Sequence, residues 1–255
     1  MPAISSSSSS VSDKSHRISR LRQELKRLER GGPARPAVRV GVPEIDAALG
    51  GGLAGSALHE VLGEPEEAAA TGFVLALLAR LLDDPAAGNQ PVLWCGRRLD
   101  LYGPGLADFL DPGRLILVEA AKPAELLWAM EEGLRCPGLS AVVGELDRLD
   151  LTASRRLQLA AEAGATTGLV LRRGNAAQAG EGGASAATTR WRVASAPGLT
   201  GAGPRFLGLA CWRVELLRCR GGRPGDWMVE WHDATGDLAL AAALRDRPAA
   251  AQAAG

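Results

Sequence analysis

The chain has 255 residues, 46% of them hydrophobic, with 32 glycines and 15 prolines, and its 29 basic and 29 acidic side chains give a formal net charge of zero. That length suits one core large enough to fold without disulfides, and the balanced charge removes any whole-chain argument for nucleic-acid binding. No run of 18 apolar residues occurs and the serine-rich start has no apolar core of an export signal, so a cytoplasmic protein without membrane contact is expected.

Residues 1–16 include six consecutive serines, Ser5 to Ser10, and are expected to be disordered, because nothing there can bury apolar area. In residues 17–32, Ile18, Leu21, Leu25 and Leu28 are spaced 3, 4 and 3 and fall on one stripe of an amphipathic helix. The rest of that helix is almost wholly charged, and two heptads are too short to be stable alone. The stripe therefore packs either on its own domain or on a partner, and Gly31-Gly32-Pro33 ends it. Residues 1–36 carry eight basic and three acidic side chains, which suits a solvated tail or an arm for an acidic partner.

From residue 37 short apolar runs alternate with helical stretches. Strands are expected at Ala57–Leu62, Pro91–Cys95, Leu115–Glu119, Ala141–Val143 and Gly168–Arg172. Helices are expected at Phe73–Leu82, Ala124–Arg135 and Thr152–Ala163. This alternation predicts an α/β fold with a mainly parallel sheet between helices. Trp212–Cys219 and Trp227–His232 flank a Gly/Pro-rich turn and predict an antiparallel hairpin at the C-terminal end. The alanine-rich residues 241–255 are read as a helix fraying into a tail.

Cys95, Cys136, Cys211 and Cys219 form no CxxC pair, and His16, His59 and His232 are too scattered to complete a metal site. The cysteines are read as reduced and structural, and no metal or cofactor is expected. Gly50-Gly51-Gly52-Leu53-Ala54-Gly55 matches GxGxxG formally. It precedes a strand instead of following one, which argues against a dinucleotide site.

The surrounding residues are more specific. Val42-Pro43-Glu44-Ile45-Asp46-Ala47-Ala48-Leu49-Gly50-Gly51-Gly52-Leu53 resembles the start of the RecA core, where a short helix and a glycine turn lead into the first strand. A phosphate loop should follow that strand. Measured against GxxxxGK[ST], Gly63 survives, but Ala68, Ala69 and Ala70 replace the second glycine, the lysine and the magnesium-binding hydroxyl. Each lost charge-assisted hydrogen bond costs roughly 1.5–3 kcal/mol. Glu64, Glu66 and Glu67 add like charges, each costing on the order of 4 kcal/mol against a phosphate at about 4 Å before screening. Arg97 stands where a water-activating acid is expected. Gly144 stands where a metal-binding aspartate should end its strand, with Glu145 next as a register-shifted acid or a helix-capping charge.

Residues 17–245 are similar to the ImuA family of bacterial SOS mutagenesis proteins, RecA relatives with degraded nucleotide sites. The resemblance rests on the VPEIDAALGGGL start, the eroded loop and the ending WRVELLRCRGGRPGDWMVEW. It implies a RecA-like domain over residues 37–240 and a non-catalytic role in damage-induced translesion synthesis. The implied partners are an ImuB-type inactive Y-family polymerase, a DnaE-type error-prone polymerase and RecA itself. Two other functions stay open: a residual RecA-type ATPase or DNA-binding recombination mediator, and a SulA-type regulator of cell division.

Two segments are candidates for contacts. Arg172, Arg173, Arg190, Trp191 and Arg192 bracket a Gly/Ala/Ser stretch where RecA places a DNA-binding loop, and arginines beside a stacking aromatic suit single-stranded DNA. The bland alternative is a surface insertion. Trp212, Trp227 and Trp231 are either exposed anchors for a partner or strand residues packed on the sheet; Ile18, Leu21, Leu25 and Leu28 on the N-terminal stripe are the other candidates for partner binding.

Overall fold

The computed structural model describes residues 35–174, 183–198 and 209–241. The N-terminal stripe and the tail from residue 242 lie outside them.

The first element, α1 (Pro43–Leu49), begins with proline at its first turn and buries Ile45 and Leu49. It ends on Gly50 at φ 77°, whose N–H reaches back to the Ala47 carbonyl. The next turn needs glycine for space as well: at Gly52 (φ 136°) a Cβ would lie 2.6 Å from the Val38 carbonyl oxygen. The chain then enters β1 (Leu58–Gly63), every residue of which is buried.

Helix α2 (Ala69–Asp83) follows β1 and buries Phe73, Val74, Leu77 and Leu78 among others on nearly all sides, as a helix enclosed within a domain must. The rest of the α/β unit is β2 (Val92–Gly96), the short α3 (Gly103–Leu106), β3 (Leu115–Glu119), α4 (Pro123–Arg135), β4 (Ala141–Glu145), α5 (Leu151–Gly164) and β5 (Thr167–Arg173). The described elements that follow are β6 (Thr189–Ala196), β7 (Ala210–Cys219), β8 (Gly225–His232) and β9 (Asp237–Leu240).

Among the described residues nine strands form one sheet in the order β3-β2-β4-β5-β1-β6-β7-β8-β9. Pairing is parallel from β3 through β6 and antiparallel from β6 to β9. The expected α/β class, the parallel sheet and the C-terminal hairpin are therefore present. Two strands were not expected. β6 begins within the segment read as a basic loop, taking in Arg190, Trp191 and Arg192, and β9 extends the hairpin into a meander.

The two faces of the sheet carry separate cores. On one, α2 meets Trp94, Leu169 and Leu171 from the parallel strands and Trp191, Trp212, Val229 and Trp231 from the antiparallel end. The Phe73 ring lies 5.5 Å from Trp191 and 6.5 Å, edge-on, from Trp212. On the other face α4 and α5 cover Leu58, Leu93, Cys95, Val142 and Val170. Burial pushes the Cys95 thiol up to about 12, so it stays protonated and inert.

The same burial fixes His59 on β1. Its Nε2 lies 2.8 Å from the Ala54 carbonyl, which can only accept, so Nε2 carries the proton. Nδ1 then accepts from the Thr189 hydroxyl at 2.8 Å, and that oxygen in turn accepts from Trp191 Nε1 at 2.8 Å. Burial lowers the His59 pKa from 6.5 to about 4, against the raising effect of the Ala54 carbonyl. The folded value lies below the unfolded one, so this contribution to stability is complete above pH 6.5 and is lost as pH falls towards 4. The shift corresponds to about 3 kcal/mol. Urea unfolding of the wild type is expected to weaken by that order between pH 7 and pH 4, with a flatter profile for His59→Gln. Equal slopes for the two proteins would show that His59 is not the group responsible.

Candidate functional site

Open parallel sheets bind ligands at the carboxyl ends of their strands, and among the described residues a cleft lies there. Its volume is about 600 Å3, and its lining includes Pro65 after β1, Arg97, Arg98 and Asp100 after β2, and Ala121 after β3. Glu145 and Asp147 come from the end of β4, with Leu171 and Arg173 from the end of β5.

Opposite charges already pair within this cleft. The Arg173 guanidinium donates to Glu145 at 2.5 Å and to Asp100 at 3.0 Å, while Arg97 meets Asp147 at 3.1 Å. Trp94 Nε1, in the buried strand β2, donates to the other Glu145 oxygen at 2.8 Å. Arg173 holds the Asp100 carboxyl below its usual range through hydrogen bonding and charge. Burial acts to lower the Arg173 pKa, but Asp100 and Glu145 more than offset it and raise it. One guanidinium is thus shared between two carboxylates.

The register clarifies the two acidic positions. Gly144 is paired with Cys95 on the α4 face, and a Cβ there would meet the Met130 sulfur at 2.0 Å. Residue 144 therefore points away from the cleft, which corrects its assignment as the missing metal ligand. Glu145 is the acid that faces the cleft. It is bound by Trp94 and Arg173 and caps no helix; the N-cap of α5 is Asp150, whose side chain accepts from the Ala153 N–H at 2.7 Å.

The loop after β1 is closed by its own residues. Ala69 and Ala70 begin α2 with 3% and 1% of their surface exposed, and a Cβ on Gly63 would fall 2.3 Å from the Ala70 Cβ. Ala68 is the exposed N-cap without a side-chain hydrogen bond. Glu64 and Glu66 are exposed, and Glu67 accepts from the Ser195 N–H at 2.8 Å, tying the loop to the end of β6. Among the described residues no group of three or more His, Cys, Asp or Glu is placed to hold a metal ion.

The five residues proposed for single-stranded DNA do not form one exposed surface. Arg190, Trp191 and Arg192 belong to β6. Trp191 is fully buried against Phe73, which removes it as a stacking platform for a base. Arg172 and Arg190 both bind Glu60, which is itself fully buried, at 2.7 and 2.8 Å. Arg192 pairs with Glu215 at 3.2 Å, and Arg173 belongs to the cleft. Residues 175–182 between these arginines lie outside the described residues.

The partner-binding tryptophans are corrected similarly. Trp212 and Trp231 keep 5% and 0% of their surface and pack in the α2 core, Trp231 stacked on Phe109 at 4.6 Å; Trp227 is half-buried. The alternation of β7 and β8 turns these rings to the covered face. Ile18, Leu21, Leu25 and Leu28 lie outside the described residues. Sequence reasoning missed Asp100 and the pairing of Trp94 with Glu145, which is a contact between strands. It also missed Glu60, whose signal was a lone charge inside the apolar run of β1.

No protein-family model matches the chain. Protein ImuA of Caulobacter vibrioides (strain NA1000 / CB15N) is 43% identical over 211 residues, covering 78% of this chain and 85% of the relative. Protein ImuA of Caulobacter vibrioides (strain ATCC 19089 / CIP 103742 / CB 15) matches to the same extent. With that identity over most of both sequences, the chain belongs to the ImuA family.

Proposed function

We propose that the protein is a non-catalytic, RecA-like accessory factor of SOS-induced error-prone DNA synthesis, acting through protein contacts. Family membership supports the link to the mutagenesis system. The observation that carries the non-catalytic reading is the β1–α2 loop: alanine side chains occupy it, carboxylates surround it, and the charged groups lining the neighbouring cleft are already paired with one another. Charged groups that already satisfy one another must be separated before a polyphosphate gains anything from them. The order α1, glycine turn, β1, loop, α2 supports the RecA-like reading of the fold.

The partners that fit this role are an ImuB-type polymerase homologue, through it a DnaE-type polymerase, and RecA. The N-terminal stripe is the proposed docking helix, because it unites an apolar face with strong positive charge. Calorimetry with millimolar Mg-ATP is expected to show no binding, while an ImuB-type protein co-purifies with the chain. Leu21→Asp combined with Leu25→Asp should weaken that association more than it lowers the melting temperature. Submillimolar ATP affinity or magnesium-dependent turnover would overturn the non-catalytic reading. Co-purification with FtsZ in place of a polymerase homologue would move the protein to cell-division control.

A further inference from the structure

The sheet ends at β3, among the described residues, without the usual protection of an edge. Among the described residues nothing pairs with its outer side. Its sequence, Leu-Ile-Leu-Val-Glu, contains no lysine, proline or interrupting charge before Glu119, although edge strands commonly use those devices against unwanted pairing. Ile116 and Leu117 keep 46% and 51% of their surface. They also project to opposite faces: Ile116 is in register with Leu93 on the α4 side, and Leu117 with Trp94 on the α2 side. A helix or loop covering one face would leave the other open. An added strand covers both.

The backbone fixes which strand fits. The Ala120 N–H donates to the Gly96 carbonyl in β2, and along a strand the peptide groups of alternate residues point to opposite edges. Ile116 and Val118 therefore turn their N–H and C=O groups towards β2, leaving those of Leu115, Leu117 and Glu119 for the open edge. We infer that β3 is a self-pairing surface, on which a second copy of this chain places its own β3 antiparallel, with Leu117 facing Leu117 across a two-fold axis. In this register Leu115 faces Glu119 of the copy, and each facing pair of outward groups exchanges two backbone hydrogen bonds. Centring the axis on Ile116 would leave fewer outward groups opposed. No charge meets a like charge in the self-paired strand, since Glu119 opposes leucine. The interface is isologous, as a two-fold dimer requires. A five-residue strand pair is smaller than a standard interface of about 1,600 Å2, so the dimer depends on concentration.

Sedimentation of the full chain over a concentration series tests this. The wild type is expected to shift from monomer towards dimer. Leu117→Lys alone and Leu117→Glu alone should both remain monomeric, because each opposes its own charge across the axis. Mixing the two in equal amounts should restore a dimer. Ile116→Lys mixed with Ile116→Glu should not be restored, because residue 116 faces Val118 of the copy. Melting curves establish that each variant is folded. If the charged variants fail to fold, Leu117→Cys supplies the test: facing Cα atoms about 5.5 Å apart allow a disulfide, so mild oxidation should link Leu117→Cys copies above the wild-type level and leave Ile116→Cys copies unlinked. A monomeric wild type at every concentration, dimers that survive both Leu117 charges, failure of the mixture to recover, or pairing only with an extended segment of another protein would each overturn the proposal.

Discussion

Replacing Glu60 with alanine is expected to destabilise the domain by about 3–5 kcal/mol, the usual cost of removing one partner from a buried ion pair. Glu60 is fully buried in the middle of β1, where one oxygen binds Arg172 at 2.7 Å and the other binds Arg190 at 2.8 Å. The arginine side chains keep only 12% and 10% of their surface, so neither can recover its lost hydration without moving. A domain of this size loses roughly 2–4 °C of melting temperature per kcal/mol, which makes a fall of about 10 °C the expected result. Glu60→Gln keeps an acceptor but no charge and should lie between. Removing the charges together, as Glu60→Leu with Arg172→Met and Arg190→Met, should cost less than Glu60→Ala alone, because no buried guanidinium then loses its carboxylate. Chemical denaturation measures all three. A neutral Glu60→Ala would mean that water reaches the two arginines.

That triad also shows why the sequence misled about the basic segment. Arg172 and Arg190 read as surface charge because arginine is rarely buried without a partner, and their partner Glu60 stands more than a hundred residues earlier. The alternation in Thr189–Ala196 held the missing signal. Arg190 and Arg192 fall on one face, Trp191 and Val193 on the other, as the period of a strand requires. Glycine and alanine just before it masked that pattern. The central parallel strands β1, β2, β4 and β5 were legible because both of their faces are covered and their apolar runs are nearly continuous. The central helix was legible for the same reason. At the cleft, the strand ends were readable but the side-chain directions were not. A shift of one residue separates Gly144, beneath α4, from Glu145, in the cleft, and only the pairing with β2 reveals which residue faces which way.

Restoring the phosphate loop residue by residue is expected to fail, first in binding and then in stability. Ala69→Lys supplies a cation but no magnesium ligand, and it leaves Glu64, Glu66 and Glu67 in place. It must also carry an ammonium out of a position with 3% exposure at the start of α2. Calorimetry of this variant with millimolar Mg-ATP should show no heat of binding. Ala70→Ser supplies the hydroxyl where the Ala70 Cβ already closes on Gly63, whose own Cβ would lie 2.3 Å away. Overpacking of this kind costs typically 1–3 kcal/mol, and its melting temperature should fall accordingly. Gly144→Asp is the most damaging of the series. The new side chain would enter the core beneath α4, against the fully buried Met130, and bring a carboxylate with no partner there. Its expected loss of several kcal/mol should appear as low soluble yield and a depressed melting temperature, again without ATP binding. Combining Ala68→Gly, Ala69→Lys and Ala70→Ser separates the two obstacles. If this triple variant binds Mg-ATP, the three glutamates are not a barrier, and the replaced loop residues alone account for the absence of binding expected of the wild type. If it stays silent until Glu64, Glu66 and Glu67 are also neutralised, repulsion dominates, as their position around the phosphate path predicts.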